Sequence, residues 1–386
     1  MEYSLLLLGL SVAMYIKSKN IIVTLIIFFY MAFLVNVTLV DLMFESKGFS
    51  PRADLFDSIS LIEQILSIFV FIVFIVNYKI DTNIVFIRRT DTRIWDFILF
   101  IAIVILSVYL YQIKGMRLDG SFSDSKNLRF IIEDYLYVII AAAVIYFRAG
   151  KIVLLSVFIL AMIYMLGGER MRMFVLLGSI YFAITDKQHG LKFKIGLFVV
   201  LGLAISIDIL RSIGVEAVDY HISHFGSVTI SSQYLIEFME GLTVEKKIDY
   251  LHGILLANFI PSSLLSEGFD IRRDLFQYAN IPGGGWLPVW FYGLFGYFGL
   301  VVFSVVFSLL IRFISLKLDA YKDKGEKFGY CPKMHLYGVF FVVLVTTLPR
   351  WLMYTPYQVL RFPLYAVIIL LSLYLINYTI LKKWKN

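Results

Sequence analysis

Apolar windows of roughly 20 residues, with shorter ones tolerated, the length of helix that crosses about 30 Å of hydrocarbon, recur near 2–16, 21–41, 57–77, 94–112, 131–148, 152–167, 171–185, 194–211, 288–315, 334–355 and 362–381. A chain built this way has few ways to fold. Inside a bilayer every backbone N–H and C=O must be bonded within the protein, so windows of this length become helices. One long polar stretch, residues 212–287, interrupts the series, and function is to be sought there. The expected architecture is an all-α polytopic membrane protein with about 11 transmembrane helices. It forms one integral membrane domain over 1–386, with 212–287 as a large extracytoplasmic loop carrying short amphipathic helices.

Composition supports the membrane reading. Hydrophobic residues make up 60% of the chain and charged residues 16%, with a mean hydropathy of +0.82, more grease than a soluble domain needs. The 25 Tyr, 35 Phe and 5 Trp add amphipathic rings of the kind that settle at bilayer interfaces. Only Glu2 precedes the first window and no small-residue cleavage site follows it, so an uncleaved first helix is expected. The windows 152–167 and 171–185 are short and joined by Gly167–Arg172, which fits either two crossings or a break in one helical hairpin.

Orientation follows from basic residues in short loops, which resist translocation. Lys382-Lys383-Trp384-Lys385 and the run Arg312, Lys317, Lys322, Lys324, Lys327 and Lys333 read as cytoplasmic. Alternation then puts Lys17/Lys19, Lys79/Arg88/Arg89/Arg93, Arg148/Lys151 and Lys187/Lys192/Lys194 on the same side. The N-terminus, the 42–56 and 113–130 loops, Gly167–Arg172, and the 212–287 and 349–361 loops fall outside. The expected location is the bacterial cytoplasmic (inner) membrane, multi-pass, N-terminus out and C-terminus in. The net charge of +7 reflects this topology and attraction to anionic lipid, and no nucleic-acid partner is expected. The single cysteine, Cys331, cannot form an intrachain disulfide, which leaves redox chemistry without support.

Within the large loop, Val215, Val218, Ile222 and Phe225 keep helical spacing, and Val228, Tyr234, Leu235, Phe238 and Met239 predict a second short amphipathic helix. A turn-rich run from Pro261 through Asp270 ends in Arg272-Arg273-Asp274. Pro282-Gly283-Gly284-Gly285-Trp286 follows at the mouth of a transmembrane window, where Gly283, Gly284 and Gly285 permit close backbone approach to a ligand.

The stretch Tyr250-Leu251-His252-Gly253, Pro261, the triglycine, and Phe291-Tyr292-Gly293-Leu294-Phe295-Gly296-Tyr297-Phe298-Gly299 together resemble the Wzy-type O-antigen (oligosaccharide repeat unit) polymerase family. Gly168-Glu169-Arg170 is similar to that family's glycine-then-arginine motif. Where many relatives carry an acidic residue and an asparagine before the Phe-Gly pair, this chain has Trp290 and Leu294. The resemblance implies a membrane glycosyltransferase (GT-C-like) fold whose loop helices roof a cavity at the outer leaflet. It also implies an enzyme that joins lipid-linked repeat units there. The donor is a glycan on undecaprenyl pyrophosphate, the acceptor a single lipid-linked unit, and a hydroxyl of the acceptor attacks the anomeric carbon. Implied partners are these undecaprenyl-pyrophosphate-linked oligosaccharides, the lipid bilayer, a chain-length regulator and a flippase.

The departing pyrophosphate develops charge that guanidinium groups, forked and permanently protonated, can neutralise. Arg170, Arg172, Arg211, Arg272, Arg273, Arg350 and Arg361 all fall at the outer side. Arg170, Arg272 and Arg273 are the expected catalytic arginines; Arg172, Arg211, Arg350 and Arg361, with Tyr250, are expected to bind substrate. The alternative for some of them is to flank helices or pair locally, with Asp208 and Arg211 at i, i+3 a candidate structural pair. His252 is the expected base for the acceptor hydroxyl, with Glu267 and Asp270 as competing carboxylates. His221 and His224 lack a clear third metal ligand, and neither metal nor cofactor is expected. Glu63, Glu133 and Asp134 touch apolar windows, where ionisable groups turn inward. Two other enzyme readings stay open: an O-antigen ligase, and a polyprenyl-phosphate-sugar glycosyltransferase using Asp41, Glu45, Asp54 or Asp57. A lipid-linked oligosaccharide flippase competes from another class, but two related helical halves with short loops are expected of it.

Overall fold

The computed structural model describes residues 2–35, 53–82, 93–114, 133–147, 149–166, 170–184, 190, 193–196, 224–260, 264–266, 268–279, 285–328 and 332–385. Among them all regular structure is helical. In chain order the helices are α1 (Glu2–Lys17), α2 (Ile21–Val35), α3 (Ala53–Asn77), α4 (Arg93–Lys114), α5 (Glu133–Phe147), α6 (Lys151–Leu166) and α7 (Arg170–Ile184). They continue as α8 (His224–Glu240), α9 (Val244–Ala257), α10 (Ile271–Ala279), α11 (Leu287–Phe328), α12 (Pro332–Thr346) and α13 (Leu348–Met353). A 3₁₀ turn at Pro356–Gln358 and α14 (Arg361–Lys385) complete the order. α3 over Ser60–Asn77 and α11 over Leu287–Ala320 are long and apolar enough to cross a membrane; the other apolar helices are shorter. The 194–211 window beyond Gly196, the 215–222 stretch, His221, Arg211, Glu267, Gly283 and Gly284 lie outside the described residues.

The chain divides into two compact units. The first comprises Met1–Thr82, Leu191–Leu316 and Pro349–Val359; the second comprises Asn83–Gly190, Lys317–Leu348 and Leu360–Asn386.

In the first unit α1 packs on α2, α2 on α3, and α8 on both α3 and α10. Two helices of this unit carry apolar residues on their outward faces as well as in the core. On α11, Phe298, Val302, Val306 and Leu309 are exposed while Ser304 and Ser308 are buried. On α1, Leu5, Leu6, Leu10 and Ile16 are exposed while Ser4 and Ser11 are buried. Small polar residues on the packed face and branched apolar ones outward suit hydrocarbon surroundings. The buried hydroxyls need no distant partner: Ser304 donates to the Leu300 carbonyl (2.6 Å) and Ser308 to the Ser304 carbonyl (2.5 Å), the i−4 bond open to serine within a helix.

Polar side chains tie one end of this unit together. Lys194 Nζ donates to the Ile16 and Ser18 carbonyls, both at 2.8 Å, capping the C-terminus of α1. Asn20 donates to Ser315 Oγ (3.0 Å), Asn77 to the Ser308 carbonyl (3.2 Å) and Arg312 to the Val76 carbonyl (3.2 Å). Residues 17–20, 76–82, 194 and 308–315 therefore share one end.

α11 is not the straight crossing expected for 288–315. It is broken at Phe295 (φ −138°, ψ 22°) and Gly296 (φ 62°, ψ −151°), and the positive φ at Gly296 belongs to a region essentially closed to side chains. The chain folds back there. The Phe291 and Phe303 rings stack with centroids 3.8 Å apart, although their positions would be roughly 18 Å apart along a straight helix. A Cβ placed on Gly299 would collide with the Phe291 carbonyl oxygen, so a short first limb, residues 287–294, lies against a long second limb that starts at Tyr297. Hydropathy could not see this break, because both limbs are equally apolar.

In the second unit α6 packs on α7 and on α4, α5 on α7, and α12 against α5, α7 and α14. α6 and α7 are separate helices, so the short windows at 152–167 and 171–185 form a helical hairpin.

Candidate functional site

The second unit holds a buried arginine. Arg172 lies in the first turn of α7 and is only 7% exposed. Its guanidinium carbon sits 5.7 Å from the Tyr137 ring centre and 5.4 Å from that of Tyr164. α5 and α6 thus present an aromatic ring each to one planar cation, an arrangement worth about 2 kcal/mol or more per desolvated contact. Arg361, 5% exposed, opens α14. The next residue, Phe362, places its ring 6.3 Å from Tyr137. Neither α7 nor α14 has an acidic residue in its first turn, although helix N-termini favour negative charge. Arginines at two such ends make a locus suited to an anion. Arg170 is the first residue of α7; its side chain lies outside the described residues.

The first unit holds a carboxylate and tyrosine cluster assembled by α9, α10 and the 3₁₀ turn. The buried face of α9 is Tyr250, Gly253, Ile254 and Ala257. A Cβ on Gly253 would overlap the Phe269 carbonyl oxygen, so the glycine lets α9 press directly on the backbone just before α10. That approach brings the Tyr250 hydroxyl to Asp274 Oδ2, to which it donates at 2.5 Å. Burial, then the bond to Asp274, then the charges of Asp274, Asp249 and Asp270 push the Tyr250 hydroxyl well above its ordinary pKa, so it remains a donor. Lys246 donates to the Gly268 carbonyl (2.9 Å), lies 3.8 Å from Asp274 Oδ2, and stands over the Tyr250 ring.

Asp270, immediately before α10, accepts a hydrogen bond at Oδ1 from the Tyr357 hydroxyl (3.0 Å). Tyr357 is fully buried, with its ring 6.5 Å from that of Trp290. Asn258, at the end of α9, donates to the Pro356 carbonyl (2.9 Å) and fixes the 3₁₀ turn in place. Both tyrosine rings and Trp290 are buried and both hydroxyls are committed to the carboxylates, so what the cluster offers a sugar hydroxyl is its two part-exposed carboxylates as acceptors.

The expected residues fall differently around this cluster. Tyr250 and Asp270 belong to it. His252 is exposed, on the side of α9 away from Tyr250 and Gly253. Arg273 is exposed on α10, and the Arg272 side chain lies outside the described residues. The turn-rich reading of 261–274 ends in a helix, since α10 starts at Ile271. Arg350 is exposed, donates to Gln358 Oε1 (3.0 Å) and stands over the Tyr354 ring. Gly285 is buried, with Ser232 and Leu235 against the place of its missing Cβ. The Trp286 amide donates to Ser232 Oγ (2.9 Å), so this glycine seats the chain on α8. From sequence Asp274 is only the end of the Arg272-Arg273-Asp274 run, and Tyr357, Tyr137 and Tyr164 carry no assigned role. Tyr137 and Tyr164 stand in apolar windows that contain many rings, and nothing local distinguishes them. Among the described residues no group of three His, Cys, Asp or Glu side chains converges as a metal site.

The fit at Gly253 yields a direct expectation. Gly253→Ala should lower the thermal stability and membrane level of the protein, since overpacking against backbone costs about 1–3 kcal/mol or more. Gly241→Ala, where a Cβ would meet nothing nearer than 3.9 Å, should be near neutral. Equal melting temperatures for the two variants in detergent would show that α9 does not press on Phe269.

No protein-family model, curated protein or solved structure matches the chain.

Proposed function

We propose that the chain is a membrane-embedded polysaccharide polymerase that joins undecaprenyl-pyrophosphate-linked oligosaccharide repeat units on the outer face of the bacterial cytoplasmic membrane. The observation that carries this reading is Arg172, a buried guanidinium held between two tyrosine faces in the first turn of a helix. A permanently charged, planar group there can fork to phosphate oxygens. The outward apolar faces of α1 and α11 support a bilayer location. The clustering of residues 17–20, 76–82, 194 and 308–315 at one end of the first unit agrees with the basic-loop topology, N-terminus out and C-terminus in. About eleven crossings and a GT-C-like fold belong to the same proposal.

The reaction needs a cation for the charge on the departing pyrophosphate and a base for the attacking hydroxyl. In the second unit Arg172, with Arg361, meets the charge that grows on the leaving pyrophosphate, a role guanidinium fills without a metal. In the first unit Asp270 takes the proton of the attacking acceptor hydroxyl. That hydroxyl oxygen bonds to the donor's anomeric carbon, the bond from that carbon to the phosphate oxygen breaks, and undecaprenyl pyrophosphate departs with the electron pair. The Tyr357 hydroxyl orients Asp270 from one side. His252 faces outward, so the base is assigned to the carboxylate.

Deletion of the gene in its own host tests the reading. The expected result on a surface-glycan gel is a product one repeat unit long, restored to a ladder by the intact gene. Complete loss of attached glycan would assign the protein as a ligase, and repeat units retained on the inner leaflet would assign it as a flippase.

A further inference from the structure

We infer that α9 is a lipid-embedded helix, with its outward face in contact with the acyl chains of the outer leaflet. Ile248, Leu255, Leu256 and Phe259 form an exposed apolar row, Leu255 at 52% and Phe259 at 58%. His252 stands within that row. The opposite face, Tyr250, Gly253, Ile254 and Ala257, is buried. Glu245, Lys246, Lys247 and Asp249 put charge in the first half of α9, while its second half is apolar on both sides apart from His252, as expected of a segment with protein on one face and hydrocarbon on the other. The outward face of α11 has the same character.

Depth comes from a ladder of contacts within the first unit. α3 and the second limb of α11 run side by side in the same direction. The Tyr297 hydroxyl donates to Gln64 Oε1 (3.3 Å), Phe69 stacks on Phe303 (6.1 Å), and Arg312 reaches the Val76 carbonyl. The apolar span of this pair begins near Ser60 and Tyr297. The first limb of α11 folds back from there alongside Gly299 and Phe303, below the start of the span. α9 is fastened at that level. Its Tyr250 packs on Phe238 (6.2 Å), beside the Met239 that touches Gly293. At its other end Asn258 is bonded to Pro356, next to Tyr357 and Trp290. Gly293 and Trp290 both lie on the folded-back limb, so α9 sits within the first few turns of the apolar span, not above it. At that depth an exposed apolar row meets lipid.

The inference rests on the bilayer location proposed above, and its test separates the two. In a Cys331→Ser background, Ile248→Cys, Leu255→Cys and Phe259→Cys, each labelled with an environment-sensitive fluorophore, are reconstituted in phosphatidylethanolamine and phosphatidylglycerol vesicles. Val306→Cys on the outward face of α11 and Glu245→Cys on α9 serve as controls. The three row positions should show blue-shifted emission, quenching by a nitroxide carried high on the lipid acyl chain, and protection from iodide. Glu245→Cys should be open to iodide. Row positions quenched by iodide while Val306→Cys is quenched by lipid nitroxide would overturn the inference and leave the bilayer location standing. Val306→Cys quenched by iodide would remove the bilayer location itself. Blue-shifted row positions insensitive to both quenchers would mean that another protein surface, such as a second copy of the chain, covers the face, which also overturns the inference.

Discussion

Asp270→Asn should yield a protein that folds, inserts and binds donor normally but turns over about 10²–10⁴-fold more slowly, the range typical for loss of a general base. Asparagine keeps the shape of the side chain and its carbonyl oxygen still accepts from the Tyr357 hydroxyl, so the contact at 3.0 Å survives while the proton acceptor is lost. His252→Ala, on the exposed side of α9, should leave turnover close to that of the intact protein. The pair is measured as polymer formed from purified lipid-linked repeat units, with membrane level and donor affinity determined beside it. Slow turnover in His252→Ala and full activity in Asp270→Asn would return the base to the histidine. Full activity in both would move it to Glu267.

The apolar windows of this chain foretold its helices well, for a simple reason. In hydrocarbon the backbone has no alternative to the helix, so length and hydropathy alone predict the helices that appear over 2–17, 21–35, 93–114 and 361–385. What they could not reveal is how a window is used. The fold-back at Phe295 and Gly296 leaves hydropathy unchanged on both sides, and a glycine among glycines at 293, 296 and 299 does not announce which one adopts a positive φ. α9 was hidden for a different reason: Glu245, Lys246, Lys247, Asp249 and His252 interrupt its apolar residues, so no apolar window marks it. The carboxylate cluster was legible only in part. Asp270 stood out as a carboxylate in the loop, but its partner Tyr357 is 87 positions away, and pairing at that distance is a product of tertiary packing. Arg172 was picked out as one of seven outer arginines, yet local pattern did not rank it above the other six. Burial, shared with Arg361, separates it from the exposed Arg273 and Arg350, since a desolvated charge is held only where something repays its dehydration.

That burial makes Arg172 the position where substitution should be felt most sharply in the chemical step. If its guanidinium meets charge that appears only as pyrophosphate departs, Arg172→Ala should lose about 2.7–4 kcal/mol of transition-state stabilisation, or 10²–10³ in rate. Arg172→Lys keeps the positive charge and still fails to restore activity, because an ammonium lacks the planar fork and does not stack between two rings. Tyr164 supplies the control. Tyr164→Phe retains the ring face 5.4 Å from the guanidinium and should be nearly silent. Tyr164→Leu removes the face and should cost a fraction of the arginine's own effect, about 0.5–2 kcal/mol. Single-turnover rates with purified donor and acceptor, alongside melting temperatures in detergent, separate chemistry from folding. A purely structural arginine would show its losses in melting temperature, with the rate per folded molecule intact and lysine a partial rescue. A phosphate-binding arginine would show them in rate, with lysine no better than alanine, and only that pattern is compatible with a guanidinium fork acting on the leaving group.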